Sequence, residues 1–195
     1  MRKISLLLLL FMIFVLVSST VYAVEKKSAL GAGNIALKFD YIKFTDDGLK
    51  DTDTDTGLYV GLEGYGKIVP NLYIGGEVGY ANLEGDPYFG NTEFELTYVP
   101  LELNIKYAAE IAPSLTIDLG AGISYNYGDF KVSTGGISES VDDWLFGGQF
   151  FADANYIIDR FFIGINGKYK LTEDFKDFDF NLNNWTIGGQ IGVMF

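Results

Sequence analysis

From Asn184 to Phe195, apolar side chains alternate with small or polar ones without a break, and the sequence ends on the aromatic residue itself. Successive strand side chains point to opposite faces, so Trp185, Ile187, Gly189, Ile191, Val193 and Phe195 share one side. The same two-residue period recurs in seven earlier segments, roughly Asn34 to Phe44, Gly57 to Ile68, Leu72 to Leu83, Phe94 to Tyr107, Ser114 to Tyr127, Trp144 to Ile157 and Phe161 to Thr172. A pattern repeated in this way predicts antiparallel sheet throughout. At 11 to 14 residues these segments exceed the usual 5 or 6 of soluble strands and suit a tilted bilayer crossing.

The connectors alternate in length. Those at 69–71, 108–113 and 158–160 are tight, whereas 45–56, 84–93, 128–143 and 173–183 are long and acidic. Short turns at one end and long loops at the other are what an outer-membrane barrel shows, with both termini on the periplasmic side. Upstream, Arg2 and Lys3 precede an apolar run, Leu6 to Val17, and a small-x-small site at Val21-Tyr22-Ala23. This layout predicts a cleavable signal peptide, 1–23, and one mature domain, 24–195. The chain has no cysteine, which excludes a lipid anchor at the cleavage site and any disulfide. Without Arg2 and Lys3, 12 of the 14 basic residues stand against 26 acids, a net charge of −14. Nucleic acid and anionic head groups are therefore poor partners for its surface.

Each strand has an apolar face and a face bearing charge. The first carries Ile35, Leu37, Phe39 and Tyr41 on one strand and Leu101, Leu103, Ile105 and Tyr107 on another; the second carries Lys38, Asp40, Glu63, Lys67, Glu77, Glu102, Lys106, Asp118, Asp153, Lys168 and Lys170. Periodicity alone does not say which is outside, and a lipocalin-like soluble barrel fits the same alternation. Three features favour the membrane. Aromatics bracket the apolar faces, with Tyr41, Tyr80, Tyr125, Trp144 and Trp185 towards the loops and Tyr107, Tyr156, Phe161 and Phe195 towards the turns. Small residues such as Gly61, Gly79 and Gly120 make room on the charged face, and the strands are long. The expected fold is an all-β, eight-stranded antiparallel up-and-down transmembrane β-barrel. Tyr98 beside Val99 breaks the apolar register and predicts a bulge near Pro100.

An eight-stranded barrel is just wide enough for side chains to fill it. The inner face has six acids and five lysines, so a packed ionic lumen is expected, built on Glu63, Glu77, Glu102, Lys106, Asp118, Asp153 and Lys168. Glu63 and Glu77 lie on one hairpin facing the same way and need a cation between them, for which Lys106 and Lys168 are candidates. Asp51, Asp53 and Asp55 in DTDTDTG resemble the start of a calcium loop and form a candidate divalent-cation loop. Thr56 stands where the template needs Gly and Leu62 where it needs Glu, so a solvated acidic loop is expected instead. The EDFKDFDF connector, with Phe175, Phe178 and Phe180, docks a partner or extends its hairpin. No histidine is present, which removes Ser-His-acid catalysis and histidine metal sites, and neither enzyme activity nor a cofactor or metal is expected.

The leader, the eight strands, the acidic loops, the stretches LYIGGEVGYANLEG and YVPLELNIKYA, and the terminal Phe together resemble the small outer-membrane β-barrel domain family, with its OmpA-, OmpX- and OmpW-type barrels. The resemblance implies a bacterial outer-membrane protein in contact with membrane lipids and lipopolysaccharide, expected to be monomeric. It also implies insertion by the barrel assembly machinery, which reads the last strand through Trp185, Ile187, Ile191, Val193 and Phe195. Two roles stay open: a structural or surface-interaction barrel with a filled lumen, or a narrow channel for ions or small molecules. The charged inner face departs from the hydrophobic lumen of OmpW-type members.

Overall fold

The computed structural model describes residues 30–88, 92–175 and 180–195. The expected leader and its cleavage site lie outside these residues, as does Phe178. Eight antiparallel strands close into a barrel in chain order: β1 (Gly33–Phe44), β2 (Thr56–Val69), β3 (Leu72–Tyr88), β4 (Thr92–Ala112), β5 (Leu115–Thr134), β6 (Ile137–Ile158), β7 (Phe161–Thr172) and β8 (Asn184–Met194). One short helix, α1 (Asp47–Asp51), lies between β1 and β2. Closure runs to the last residue, because Gly33 and Phe195 exchange backbone hydrogen bonds of 2.9 and 3.0 Å.

At the tight end, Asn71, Ser114 and Asp159 hold the positive φ angles that reverse the chain. Two of the long connectors, 84–93 and 128–143, differ from expectation. Most of 128–143 is strand, since β5 and β6 stay paired out to Thr134 and Ile137 and turn through Gly135 and Gly136, at φ 59° and 89°. A two-residue turn with positive φ at both positions matches strand twist and needs glycine. Strands β3 and β4 likewise remain paired as far as Tyr88 and Thr92. The polar composition there belongs to a four-stranded sheet standing above the barrel wall, not to irregular loop.

The expected bulge near Pro100 is absent. Tyr98, Pro100 and Glu102 point inward in unbroken alternation, and the pairing of β4 with β5 runs without a shift from Thr92 to Glu110. Tyr98 is not a misplaced outward residue but an inner one, its hydroxyl donating to Asn126 Oδ1 at 3.0 Å.

The apolar faces are outside. Leu37, Phe39, Leu103, Ile123, Phe150 and Ile165 are all exposed, while Lys38, Glu63, Glu102 and Lys106 are buried. A belt of exposed aliphatic side chains around the whole wall is unstable in water and stable in hydrocarbon. Near the loop end, Tyr125 and Tyr127 pack on Trp144 at 4.8 and 5.3 Å, and Tyr41 packs on Trp185 at 5.6 Å. Inside, bulky rings lie over cross-strand glycines. A Cβ at Gly120 would stand 2.1 Å from the Phe151 ring, one at Gly79 2.0 Å from the Tyr59 hydroxyl, and one at Gly192 2.4 Å from the Phe162 ring. Small residues on the inner face are thus the seats of the aromatics that fill the lumen.

The filled lumen as candidate functional site

The interior is built in three tiers. At the turn end, Tyr65, Tyr73, Ala108 and Phe151 pack with Leu30, and Ala36, Ile157 and Phe162 form a second small cluster. The Tyr73 hydroxyl donates to the Gly31 carbonyl at 2.9 Å, which ties the segment before β1 into this floor.

The middle tier is ionic. Starting from Asp118, charges alternate in sign from neighbour to neighbour: Asp118 to Lys106 at 3.0 Å, Lys106 to Glu63 at 3.9 Å, Glu63 to Lys38 at 2.9 Å, and Lys38 to Glu77 at 3.1 Å. Lys168 then joins Glu77 to Glu102, both at 2.8 Å, and Lys170 closes the series on Glu102 at 2.8 Å. Six of the eight strands contribute, so the chain of charges ties the wall together across its diameter. Each carboxylate in it has a cation within reach, which is what allows charges to be held in a buried interior. Aromatic faces complete the shell: the Lys106 ammonium lies 4.1 Å from the centre of the Tyr65 ring, and the Tyr59 hydroxyl donates to Glu77 at 2.5 Å.

Two further buried acids flank the series. Asp40 accepts from Asn166 at 2.9 Å, and Asp153 stands opposite Asp118 on the neighbouring strand. The structure therefore brings together Glu63, Glu77, Glu102, Lys106, Asp118 and Lys168 in one network, with Asp153 at its edge. Two details differ from the sequence reading. Lys67 is exposed at the turn end, donating to the Leu30 carbonyl at 3.3 Å, so four inner lysines face six acids. The cation between Glu63 and Glu77 is Lys38; Lys106 and Lys168 each reach one of the two. Lys38 and Lys170 were legible as inner residues from alternation, but their partners come from other strands and depend on register.

The upper tier is an apolar lid that the sequence did not announce. Ile42, Phe44, Tyr59, Leu83, Leu96, Tyr98 and Leu145 from the wall meet Leu49 of α1 and Phe175 and Leu182 from the connector after β7. Asp46 binds the two connectors together. One carboxylate oxygen caps α1 by accepting from the Gly48 amide at 2.9 Å, and the other accepts from the Asn181 amide at 3.1 Å. Phe180 stacks on Phe175 at 4.2 Å between ring centres, so two aromatics of the fourth connector fold over the barrel mouth.

The acidic triplet does not converge. Asp51 ends α1, Asp53 turns the chain at φ 53°, and Asp55 pairs with Lys43 at 3.4 Å. Among the described residues, no group of three or more acids, histidines or cysteines is arranged to hold a metal ion. On β8, Ile187 and Ile191 are exposed on the outer face, with Trp185 and Val193 on the same side, and Phe195, one residue past the strand, is exposed as well.

An apolar girdle around a closed, filled barrel defines an integral membrane protein that crosses the bilayer with strands. Residues 7–195 match the family model described as the outer membrane protein beta-barrel domain. The chain belongs to that family and resides in the bacterial outer membrane. Similar solved structures include Neisserial surface protein A, at 14% identity and TM-score 0.58, covering 84% of this chain and 97% of that one. The attachment invasion locus protein Ail of Yersinia pestis follows at 13% and 0.53, covering 84% and 99%. OprG of Pseudomonas aeruginosa stands at 14% and 0.53, covering 85% and 98%. At such identities the likeness is one of fold. No curated protein matches by sequence.

Proposed function

We propose that this protein is a closed barrel that works through its external face, as a structural or surface-interaction component of the outer membrane, and that it carries no solute flux. The observation that supports this reading is the continuity of the filling. An ion entering from outside meets the apolar lid of Leu49, Phe175 and Leu182, then the series of paired charges from Asp118 to Lys170, then the aromatic floor. Opening a path requires breaking buried ion pairs as well as withdrawing the lid, and each separated pair leaves charge stranded in low dielectric. The long external strands, in contrast, add nothing to the membrane span and present an extended surface outside it.

Planar-bilayer recordings of the refolded barrel test this. Silent membranes, with folding verified by altered mobility of the unheated protein on gels, are the expected result. Reproducible conductance steps that change on Lys168→Ala or Glu77→Ala would overturn the reading in favour of a channel.

A further inference from the structure

The sheet that stands above the wall has two edges, and they are finished differently. On the β3 side, the first connector covers it: a Cβ at Gly85 would lie 2.0 Å from the Thr52 carbonyl, and Leu83 packs in the cluster that holds Leu49. On the β6 side, pairing with β7 ends at Gly147 opposite Thr172, while β6 continues outward to Ile137. The last contact at that border is the Glu173 amide donating to the Phe146 carbonyl at 2.9 Å. Hydrogen-bonding direction alternates along a strand, so Ser138, Ser140, Asp142 and Trp144 direct their N–H and C=O groups to the same side as Phe146. The Trp144 amide is taken up by the Asp143 carboxylate at 2.8 Å. Among the described residues, no strand pairs with Ser138, Ser140 or Asp142 on that side.

Resting on the reading that the barrel acts through its external face, we propose that the outer half of β6 is a docking edge for an extended, basic peptide segment, which adds to the sheet as a further antiparallel strand. Charge selects the occupant. Glu139 and Asp142 are exposed on opposite faces of the edge, Glu173 and Asp174 are exposed at its base, and Asp129 stands beside Asp142 on β5. Among the described residues, Lys131, opposite Ser140, is the cation beside the edge, and it is paired with Glu95 at 3.8 Å. A second copy of the chain brings acid against acid, a negative device that natural edges use against self-association. A segment with lysine or arginine opposite Glu139 and Asp142 gains both ladder hydrogen bonds and ion pairs.

The probe is a capped, fluorescein-labelled peptide, Thr-Lys-Val-Thr-Lys-Thr-Thr, which in antiparallel register sets its lysines opposite Asp142 and Glu139. Its binding to the refolded barrel is followed by anisotropy. Saturable binding is expected, weakened roughly tenfold or more when the peptide amides facing β6 are N-methylated, since that removes ladder bonds and leaves charge unchanged. Ser140→Pro, at a position whose amide faces away from β5, is expected to weaken binding similarly with gel mobility unchanged. Asp142→Asn with Glu139→Gln is expected to weaken it further in low salt. Equal binding of the N-methylated peptide, no binding to a folded barrel, or dimerisation through this edge on crosslinking each overturns the proposal. Because bilayer silence is measured separately, a silent barrel that ignores the peptide refutes the docking edge alone.

Discussion

Replacing Lys38 by Met removes the cation that two carboxylates share. Lys38 is 1% exposed and lies 2.9 Å from Glu63 and 3.1 Å from Glu77, which are themselves directly opposed on β2 and β3. At about 3 Å and an effective dielectric of about 20, each contact is worth roughly 5 kcal/mol of Coulomb energy, against several kcal/mol for desolvating each ion. Breaking a buried pair from one side typically costs about 3–5 kcal/mol. The lower end is expected, because Glu77 keeps Lys168 at 2.8 Å and Glu63 keeps the more distant Lys106 at 3.9 Å. Adding Glu63→Gln to Lys38→Met leaves Asp118, Glu77 and Glu102 matched by Lys106, Lys168 and Lys170, so the double variant should recover at least half of the loss. The assay is urea unfolding of barrels refolded into lipid vesicles, followed by the fluorescence of Trp144 and Trp185. A single variant within about 1 kcal/mol of wild type, or a double variant no better than the single, would refute the alternating network as the source of lumen stability.

Gly120→Ala should cost about 1–3 kcal/mol by driving a methyl into the Phe151 ring, whereas Gly148→Ala, on the lipid-facing side with its nearest neighbour at 3.6 Å, should be close to neutral in the same unfolding assay. Leu49→Ala empties a fully packed site in the lid, so it should cost about 2–5 kcal/mol and speed proteolysis within 45–56; an unchanged cleavage rate would count against the lid. Above the aromatic girdle, burial first and then Asp142 and Glu95 hold the Asp129 carboxyl above the usual carboxylate range. A group whose folded pKa is raised destabilises the fold when charged and relieves it as pH falls through that pKa. Asp129→Asn should therefore raise melting temperature at neutral pH, with the gain over wild type shrinking as the medium is acidified; a gain that grows on acidification would contradict the assignment.

Strand number, order and the sidedness of the wall were legible because one period of two governs all eight segments and the aromatics mark both interfaces. The extent of β5 and β6 was less so. Acidic composition masks the alternation of Phe130 and Val132 around the Gly135-Gly136 turn, although that pair is itself a hairpin signal. The membership of the inner face followed from alternation, apart from Lys67, which sits past the end of the filled interior. Who pairs with whom did not follow, since Lys38 meets Glu77 across 39 residues and Lys168 meets Glu102 across 66, distances fixed only by the register of the closed sheet. The lid was hidden for a related reason. Leu49, Phe175 and Leu182 sit in polar connectors with no period, and their burial arises only when two connectors far apart in sequence fold over one mouth.

The most direct test of a filled interior uses the absence of native cysteine. Ser124→Cys places a single thiol on the inner face, where Ser124 is 3% exposed, and Ser138→Cys places one on the external edge. Refolded barrels are treated from outside with a small, membrane-impermeant thiol reagent. A filled lumen predicts that the cysteine at 124 stays unmodified until urea unfolds the barrel, while the one at 138 reacts at once. Modification at 124 as fast as at 138 in the folded barrel would mean that solvent and solutes reach the lumen, and would contradict the closed barrel.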